Sequence, residues 1–352
     1  MKILLVGENF RGSAEESIYN NLIRLKDVEA EIFSTRELFK TSFINRVLNK
    51  FLKTPHYFGK GVKEVNKAVL QKVSSGCFDF VLFVKPSLIY PETIFKIKKY
   101  SKIVGFSNDN FFDLKVASDY FYKSLPLFDL YFIPALTDKQ AEEISKKFNC
   151  KIIPFPLATA DILCHHPVAV TLEEKEKLGA DIVFLGTYAK GEPRVEYLER
   201  LCREGYDVKI YGNGWKWYKL PWNSCLRRKK RIIPGNTPCE EMAKIIASSK
   251  IVLAFLRKHE PIAWRTYEIP LCKGFMLHQR TKEAEEFLKP DKEAVFFDSY
   301  EEMKEKIDFY LQHPELRDKI AEAGYQRILN CGRLNHNQVK KMIEILKNEF
   351  GK

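Results

Sequence analysis

Residues 251–277 have the sequence IVLAFLRKHEPIAWRTYEIPLCKGFML, in which two apolar runs flank a segment of helical pattern. The runs Ile251–Phe255 and Phe275–Leu277 are short and apolar throughout, which is typical of strands that are covered on both faces. A helix that starts near Ile262 or Ala263 would connect them. Strand, helix and strand in this order predict parallel pairing, because parallel strands need a crossover connection.

The same alternation occupies both halves of the chain and predicts an α/β fold of two Rossmann-like domains that face each other across a cleft. Apolar runs of strand type are Lys2–Val6, Glu31–Ser34, Phe80–Val84, Lys102–Phe106, Leu130–Ile133, Lys151–Pro154, Asp181–Leu185, Val208–Tyr211, Ile251–Phe255, Phe275–Leu277 and Val295–Phe297. Prolines at Pro154 and Pro156 punctuate the pattern between the halves. We therefore expect an N-terminal domain at 1–155, a C-terminal domain at 156–335, and a last helix at 336–352 that packs across the joint.

Composition limits where the protein works. The chain has 352 residues, of which 45% are hydrophobic and 30% charged, and this is enough apolar material for two domains. No uncharged apolar run approaches the roughly 18 residues that span a bilayer. The first residues, MKILLVGENF, fit a buried strand better than a signal peptide. We expect a cytoplasmic protein, or one on the inner face of the membrane.

The eight cysteines are scattered, and no Cys-x-x-Cys pair occurs among them. This spacing argues against a zinc site and predicts reduced thiols in a cytoplasmic protein. The tightest Cys/His group is Cys164-His165-His166. Because adjacent side chains point in different directions, we expect an ordinary loop there and no bound metal.

Polar residues follow the strands of the first half, at the edge where doubly wound sheets bind their ligands. Gly12 and Ser13 precede a helix whose N-terminus offers free N–H groups to an acceptor molecule. Asn108, Asp109 and Asn110 follow the fourth strand, and the Asp109 carboxylate, a candidate catalytic group, is suited to accept from a sugar hydroxyl. Ordinary turns and helix capping explain both groups equally well.

The loops after the strands of the second half carry candidates for nucleotide binding: Gly186, Thr187, Arg194, Gly212, Asn213, Gly214 and Trp215. The glycines allow a ligand to approach the backbone closely. Arg194 starts a helix, where its planar cation suits a diphosphate, although a surface ion pair is the alternative. Trp215 would stack on a base, unless it is a core residue beside a turn.

The strongest candidates surround the helix after Ile251–Phe255. Glu260 and Glu268 are eight residues apart, so that one lies before the helix and the other one to two turns inside it. Both face one pocket in this arrangement, with the helix N-terminus favouring a diphosphate between them. Glu268 has two oxygens for the hydroxyls of a ribose. The alternative for Glu268 is a solvated helix position.

This layout resembles the GT-B glycosyltransferases. The Glu260 to Glu268 spacing is similar to the E-x7-E element of their retaining families. The stretch Arg265-Thr266-Tyr267-Glu268-Ile269-Pro270, followed by Gly274, resembles the R-T-F-E-I-P pattern of the CgeB-like spore-maturation branch. Further similarity lies at 184–186, 211–215 and 310–328. The resemblance spans nearly the whole chain and is most specific at 251–330.

The resemblance implies a nucleotide-sugar donor in the C-terminal domain, an acceptor in the N-terminal domain, retention at the anomeric carbon and no metal requirement. By position, Glu268 would bind the donor ribose and Glu260 the donor sugar, while Arg194 and Arg265 would meet the diphosphate, with Thr266 and Tyr267 beside them. No cofactor is expected, and a UDP donor is not distinguished from a GDP donor. The acceptor is expected to be a polysaccharide, an envelope component or another glycoconjugate.

The net charge of the chain is +12, which indicates anionic partners. Two segments are especially basic. Residues 43–53 place six apolar side chains on one half of a helical wheel and basic ones on the other. Such a helix binds anionic membranes, although a domain helix with a wet basic face explains it as well. The run Leu226–Arg231 follows several aromatic residues. A loop that faces an anionic acceptor, or water, is favoured there over a nucleic-acid site, since no nucleic-acid-binding module pattern is present.

Three functions of different kinds therefore compete. A glycosyltransferase is favoured by the site residues and the resemblance. A non-catalytic nucleotide-sugar binding protein in an assembly complex would need the same binding residues without turnover. A nucleic-acid-binding protein is favoured by charge alone. A nucleotide-sugar epimerase of the same fold would need more acid and base groups in the cleft than the sequence offers.

Overall fold

A computed structural model describes residues 1–39, 57–107, 118–134, 138–155, 160–257 and 262–351. The chain forms two compact units. Unit 1 comprises Met1–Ala158 together with Asn335–Lys352, and unit 2 comprises Thr159–Leu334. Each unit has its own parallel sheet and its own cores.

Unit 1 contains a six-stranded parallel sheet with the order β2-β1-β3-β4-β5-β6. Its strands are β1 (Lys2–Gly7), β2 (Glu29–Ser34), β3 (Phe80–Val84), β4 (Lys102–Phe106), β5 (Leu130–Pro134) and β6 (Ile152–Phe155). Its described helices are α1 (Ala14–Leu22), α2 (Lys60–Ser75), α3 (Pro91–Ile97), α4 (Asp119–Ser124), α5 (Asp138–Phe148) and, at the end of the chain, α14 (Asn335–Phe350).

The strands of this sheet are apolar throughout because both faces are covered. All five residues of β3, FVLFV, are buried. Alternate side chains along a strand point to opposite faces. Val81 and Phe83 accordingly join the core on one face, while Phe80 and Leu82 join the core on the other. Polar side chains are thereby restricted to the ends of the strands.

The last helix of the chain, α14, completes the second of these cores. Its apolar residues Val339, Met342, Ile343 and Leu346 recur at helical spacing and pack with residues of β1 and α1. At the start of the helix, Asn335 Nδ2 donates to Ser17 Oγ of α1 at 2.6 Å. This polar contact inside a buried region fixes the register of α14 on α1.

Unit 2 contains a second six-stranded parallel sheet with the order β12-β11-β10-β7-β8-β9. Its strands are β7 (Ile182–Leu185), β8 (Val208–Tyr211), β9 (Ile232–Ile233), β10 (Ile251–Ala254), β11 (Met276–Gln279) and β12 (Val295–Phe297). Its helices are α6 (Leu172–Leu178), α7 (Pro193–Arg203), α8 (Cys225–Arg228), α9 (Glu240–Ala247), α10 (Arg265–Leu271), α11 (Lys282–Phe287), α12 (Tyr300–Gln312) and α13 (Pro314–Asn330).

The fold class predicted from the sequence is confirmed in both units. The predicted βαβ segment at 251–277 forms β10, α10 and β11, with β10 parallel to both β11 and β7. In α10, Pro270 occupies the last turn of a helix of seven residues. The helix ends directly afterwards, where Lys273 adopts a left-handed conformation with φ of 57°.

One expectation about cysteines is wrong. Cys164 and Cys239 form a disulfide, with Cα atoms 4.1 Å apart and a separation of 75 residues along the chain. The spacing argument tested only cysteines that are close in sequence. It could not detect a pair that the fold of unit 2 brings together. The other six cysteines are free thiols, as expected.

None of the helices in the described part of the chain is long and apolar enough to cross a membrane.

Gly105 in β4 has no space for a side chain. A Cβ atom there would lie 2.1 Å from the ring of the fully buried Tyr131 on β5. We predict that Gly105→Ala lowers the free energy of unfolding by about 1–3 kcal/mol, because overpacking forces the strands apart. Urea unfolding measures the loss.

The cause is tested by combining Gly105→Ala with Tyr131→Leu, which makes room for the added methyl group. The double variant should lose less stability than the sum of the two single losses. Strictly additive losses would show that the contact with Tyr131 is not the source of the strain.

Candidate functional site

Helix α10 is the helix that follows strand β10 along the chain. A series of buried hydrogen bonds fixes its first turn. The Ala263 N–H donates to Thr266 Oγ1 at 3.2 Å, and Thr266 Oγ1 lies 2.8 Å from Nε2 of His278 on β11. His278 Nδ1 lies 2.5 Å from the Gln279 carbonyl, which places the proton on Nδ1 and leaves Nε2 to accept from the threonine. Thr266 is fully buried, so it positions the helix and does not face a ligand.

The first turn of α10 holds a buried carboxylate. Glu268 is buried, and its carboxylate pairs with the Arg265 guanidinium and lies 3.7 Å from His165 Nε2. Arg265 Nε also donates to the Leu185 carbonyl, at the end of β7, at 3.0 Å. Arg265 therefore links α10 to the neighbouring strand and holds Glu268 at the carboxyl edge of the sheet. A buried charge needs such partners, because its desolvation is costly.

His165 is a site residue that sequence reasoning missed. Burial lowers the pKa of His165, an effect that the nearby Glu268 opposes. Within the described residues, its Nδ1 is buried and makes no hydrogen bond. The sequence offered only the Cys164-His165-His166 group, which we expected to be an ordinary loop. No local pattern connects that loop to α10, because the contact joins distant parts of the chain.

Arg194 does not have the exposed geometry expected of a diphosphate ligand. Its guanidinium is buried, donates to the Leu256 carbonyl at 2.9 Å and pairs with Glu192. It thus holds the chain that leaves β10. Arg257 is exposed and donates to Thr187 Oγ1 at 3.3 Å. Arg257 is thus an exposed cation and Arg265 a partly exposed one, and of these two the sequence predicted only Arg265.

The predicted glycines bring two loops into backbone contact. Gly212 has φ of 152°, and a Cβ atom there would lie 2.2 Å from the Gly186 carbonyl oxygen. The Gly186 N–H donates to the Tyr211 carbonyl at 2.9 Å. Gly214 has φ of 80°, a left-handed conformation that favours glycine. Asn213, between the two glycines, is exposed and bonds to the side chain of Asn236.

Two aromatic residues predicted at the nucleotide site belong to the core instead. Trp215 is only 5% exposed, its Nε1 donates to the Gly186 carbonyl at 2.8 Å, and it packs edge-on against Tyr188. The stacking of Trp215 on a base is therefore corrected to a packing role. Tyr267 is buried against Phe287, with ring centroids 4.8 Å apart. The Tyr267 side chain points into the core, whereas Glu268, the next residue of α10, lies at the site.

Several predicted residues lie outside the part of the chain that the structure describes. They include Glu260, Asp109 and the neighbours Asn108 and Asn110. The amphipathic segment 43–53 lies outside it as well. The roles assigned to these residues stay predictions.

In unit 1, a cavity of about 520 Å³ opens beyond the carboxyl ends of β1 and β3. The predicted residues Gly12 and Ser13 line it. Ser13 also caps α1, since its Oγ accepts from the Glu16 N–H at 3.1 Å. Ser13 therefore caps the helix and also lines the cavity. Tyr57 and Lys85 contribute an aromatic ring and a cation to the same wall.

Glu15 supplies a buried carboxylate to this cavity. Its Oε1 accepts from the Glu8 N–H at 3.2 Å, and burial raises its pKa while Lys85 opposes the shift. The side chain lies against Gly7, where a Cβ atom would meet Glu15 Cγ at 2.6 Å. Gly7 therefore makes the space that Glu15 occupies. The wall thus combines hydrogen-bond acceptors with aromatic surface, which is the chemistry that sugar rings require.

Known proteins share the geometry of the two units. Residues 194–344 match the family model described as "Glycosyl transferase-like". No curated protein sequence matches the chain. Among solved structures, a glycosyltransferase from Rickettsia africae aligns with a TM-score of 0.63 and 14% identity, over 99% of this chain and 98% of that chain. Sucrose-phosphate synthase from Thermosynechococcus elongatus aligns with a TM-score of 0.61 and 10% identity, over 99% of both chains.

Anabaena HepE in complex with UDP-glucose aligns with a TM-score of 0.62 and 13% identity, over 99% of this chain and 100% of that chain. At these identities the likeness to solved structures establishes the fold alone, and that fold is GT-B. The predicted enzyme class, a glycosyltransferase, is confirmed by the family match at 194–344, and the predicted fold is confirmed by the solved structures. The predicted CgeB-like branch stays a resemblance.

The buried His278 makes the start of α10 sensitive to acid. Burial lowers the pKa of His278 from 6.5 to about 4. The unfolded chain binds this proton at a higher pH than the native protein, so stability is present above pH 6.5 and falls as the pH drops toward 4. We predict that this group removes roughly 3 kcal/mol of stability between about pH 7 and about pH 4.

His278→Gln serves as the comparison, because the amide keeps an acceptor for Thr266 and does not titrate. Urea unfolding at a series of pH values should give a shallower acid decline for the variant than for the wild type. Parallel curves for the two proteins would mean that His278 is not neutral in the native state.

Proposed function

We propose that the chain transfers a sugar from a nucleoside diphosphate donor, held by unit 2, to a hydroxyl-bearing acceptor held by unit 1. The observation that carries the proposal is the buried Glu268, which Arg265 and His165 hold at the carboxyl edge of the unit 2 sheet. Ligands of doubly wound sheets bind at that edge. Glu268 also lies in the segment that matches the glycosyl transferase-like family model.

Each member of this cluster fits one part of a donor. A carboxylate fixed by two partners is preorganised to accept hydrogen bonds from the two hydroxyls of a ribose. Arg265 and Arg257 supply positive charge for a diphosphate, and charge-assisted bonds to phosphate are among the stronger hydrogen bonds. HepE shares the fold and binds UDP-glucose, which supports a UDP-type donor here. A GDP-type donor remains the alternative to be tested.

The acceptor is proposed to occupy the cavity of unit 1. Glu15 offers carboxylate oxygens to sugar hydroxyls, while Tyr57 offers an apolar face to the C–H side of a sugar ring. Ser13 and Gly12 border the same space. A glycan or glycoconjugate acceptor matches this chemistry. Asp109, Asn108 and Asn110 are proposed to extend the acceptor side.

Retention at the anomeric carbon follows the resemblance to the E-x7-E families. In that proposal Glu260 lies beside the donor sugar, where positive charge develops as the nucleoside diphosphate leaves. A carboxylate at that position stabilises the transition state more than the ground state.

The two glutamates are expected to give different kinetic signatures. Glu268→Gln should weaken donor and free nucleoside diphosphate binding by about 1–3 kcal/mol, because a charged hydrogen bond is lost in the ground state and transition state alike. Glu260→Gln should mainly lower kcat and leave nucleoside diphosphate affinity nearly unchanged. Calorimetry with UDP and GDP, beside steady-state kinetics, measures both effects.

Glu283→Gln, at an exposed position of α11, provides the matched control and should change neither quantity. If Glu268→Gln binds every nucleoside diphosphate as well as the wild type does, the donor assignment fails. Tight donor binding without hydrolysis or transfer would instead support the non-catalytic binding protein.

Metal independence is the second expectation for this function. Arginine cations and a helix N-terminus are proposed to neutralise the diphosphate, so a divalent ion is not required. Transfer should therefore persist in EDTA. Complete loss of transfer in EDTA, with recovery on adding manganese, would contradict the proposal.

A further inference from the structure

A segment of unit 2 that the donor site does not use presents aromatic and basic side chains to solvent. We call residues 216–230 the Trp/Arg segment. Leu220 and Leu226 are buried and anchor it to the unit. Glu199 of α7 fastens it further, because its carboxylate accepts from Ser224 Oγ at 2.7 Å and from the Cys225 N–H at 2.6 Å. The segment is thus a built part of the fold, held at defined points.

On either side of Leu220, large rings stand outside the core. Trp222 is 84% exposed, Trp217 is 65% exposed and Tyr218 is 60% exposed. An exposed tryptophan leaves extensive apolar surface in water, and several such rings on one short segment form an exposed apolar patch. Patches of this kind mark contact sites with proteins or membranes.

The charge of the surrounding chain is entirely positive. Residues 208–239 contain eight Lys and Arg and no Asp or Glu. Six of these cations lie in the Trp/Arg segment, where all six are exposed: Lys216, Lys219, Arg227, Arg228, Lys229 and Lys230. Glu199, a carboxylate that reaches the segment, is occupied by the contacts described above. The partner of this surface must therefore be anionic and must also accept aromatic rings.

We infer that the Trp/Arg segment docks the protein on an anionic lipid membrane. Tryptophan and tyrosine prefer the membrane–water interface, where the ring is among apolar groups and its polar atom stays hydrated. Lysine and arginine at the same level are attracted by anionic headgroups. Both requirements are met by side chains of one anchored segment. This inference goes beyond the proposed glycosyl transfer and does not depend on it.

The arrangement of the rings favours lipid over single-stranded nucleic acid. Bases stack on free aromatic faces. The Arg227 guanidinium lies over the Trp217 ring at 5.0 Å, and the Lys216 ammonium lies 5.7 Å from the centre of the Tyr218 ring. The rings of Trp217 and Tyr218 are also nearly perpendicular to each other, at 83°. They do not form a series of parallel platforms for consecutive bases, whereas insertion among headgroups requires no such alignment.

Flotation of the full-length protein with lipid vesicles tests the inference. The vesicles contain phosphatidylcholine alone or phosphatidylcholine with phosphatidylglycerol. We expect binding to the anionic vesicles at low salt, a decrease as salt rises, and a blue shift of tryptophan fluorescence. Arg227→Gln, Arg228→Gln and Lys230→Gln should each weaken binding roughly fivefold. Trp222→Ser should reduce the fluorescence shift, leaving the part that comes from Trp217.

Matched controls use exposed positions elsewhere in unit 2. Lys289→Gln and Lys292→Gln remove exposed cations, and Leu172→Ser removes an apolar side chain that is 82% exposed. All three should bind vesicles as the wild type does. Since every substituted side chain is exposed, circular dichroism and unfolding midpoints should be unchanged throughout.

Three results would overturn the inference. The wild type could fail to bind anionic vesicles at low salt. Substitutions in the Trp/Arg segment could leave binding intact while Lys50→Gln with Lys53→Gln removes it, which would assign the membrane contact to residues 43–53. Finally, the Trp/Arg segment variants could lose affinity for single-stranded RNA and keep their affinity for vesicles, which would identify nucleic acid as the partner.

Discussion

Burial of parallel strands on both faces is the constraint on which the rest of this structure depends. A strand such as β10, with the sequence IVLA, has no position for a polar side chain, because each of its residues meets one core or the other. Chemistry is thereby restricted to the ends of the strands. The candidate donor site is tied to this edge by the bond from Arg265 to the carbonyl of Leu185, the last residue of β7.

That constraint also explains how the carboxylates of the two units are supported. A carboxylate at the edge of a closed core is largely desolvated, so it needs partners close by. Glu268 pairs with Arg265 and lies close to His165. Glu15 receives a backbone N–H of the loop after β1, and burial raises its pKa. The first is held by the Arg265 cation beside an imidazole and the second mainly by the backbone, so the two carboxylates have different electrostatic surroundings and suit different ligands.

The sequence predicts what depends on neighbouring residues and misses what depends on distant ones. The strand runs and the parallel order of 251–277 both arise from residues that are close together in the sequence. His165 and the Cys164–Cys239 disulfide require the path of the whole unit, so no spacing rule detects them. Arg194 failed for a different reason. Arg194 lies at the start of α7, as predicted, but its guanidinium is buried and donates to the Leu256 carbonyl instead of facing a ligand.

The tryptophans after β8 show why composition alone does not separate core from surface. Trp215 and Trp217 differ by two positions, yet one is buried and the other exposed. A buried indole needs an acceptor for its N–H, and the loop contact between Gly212 and Gly186 presents the Gly186 carbonyl at the position of Trp215. Beyond that point the chain is held by Leu220 and Leu226, while the rings of Trp217, Tyr218 and Trp222, on either side of Leu220, are exposed. Backbone geometry at two glycines therefore decides which ring stabilises the unit and which remain available to a partner.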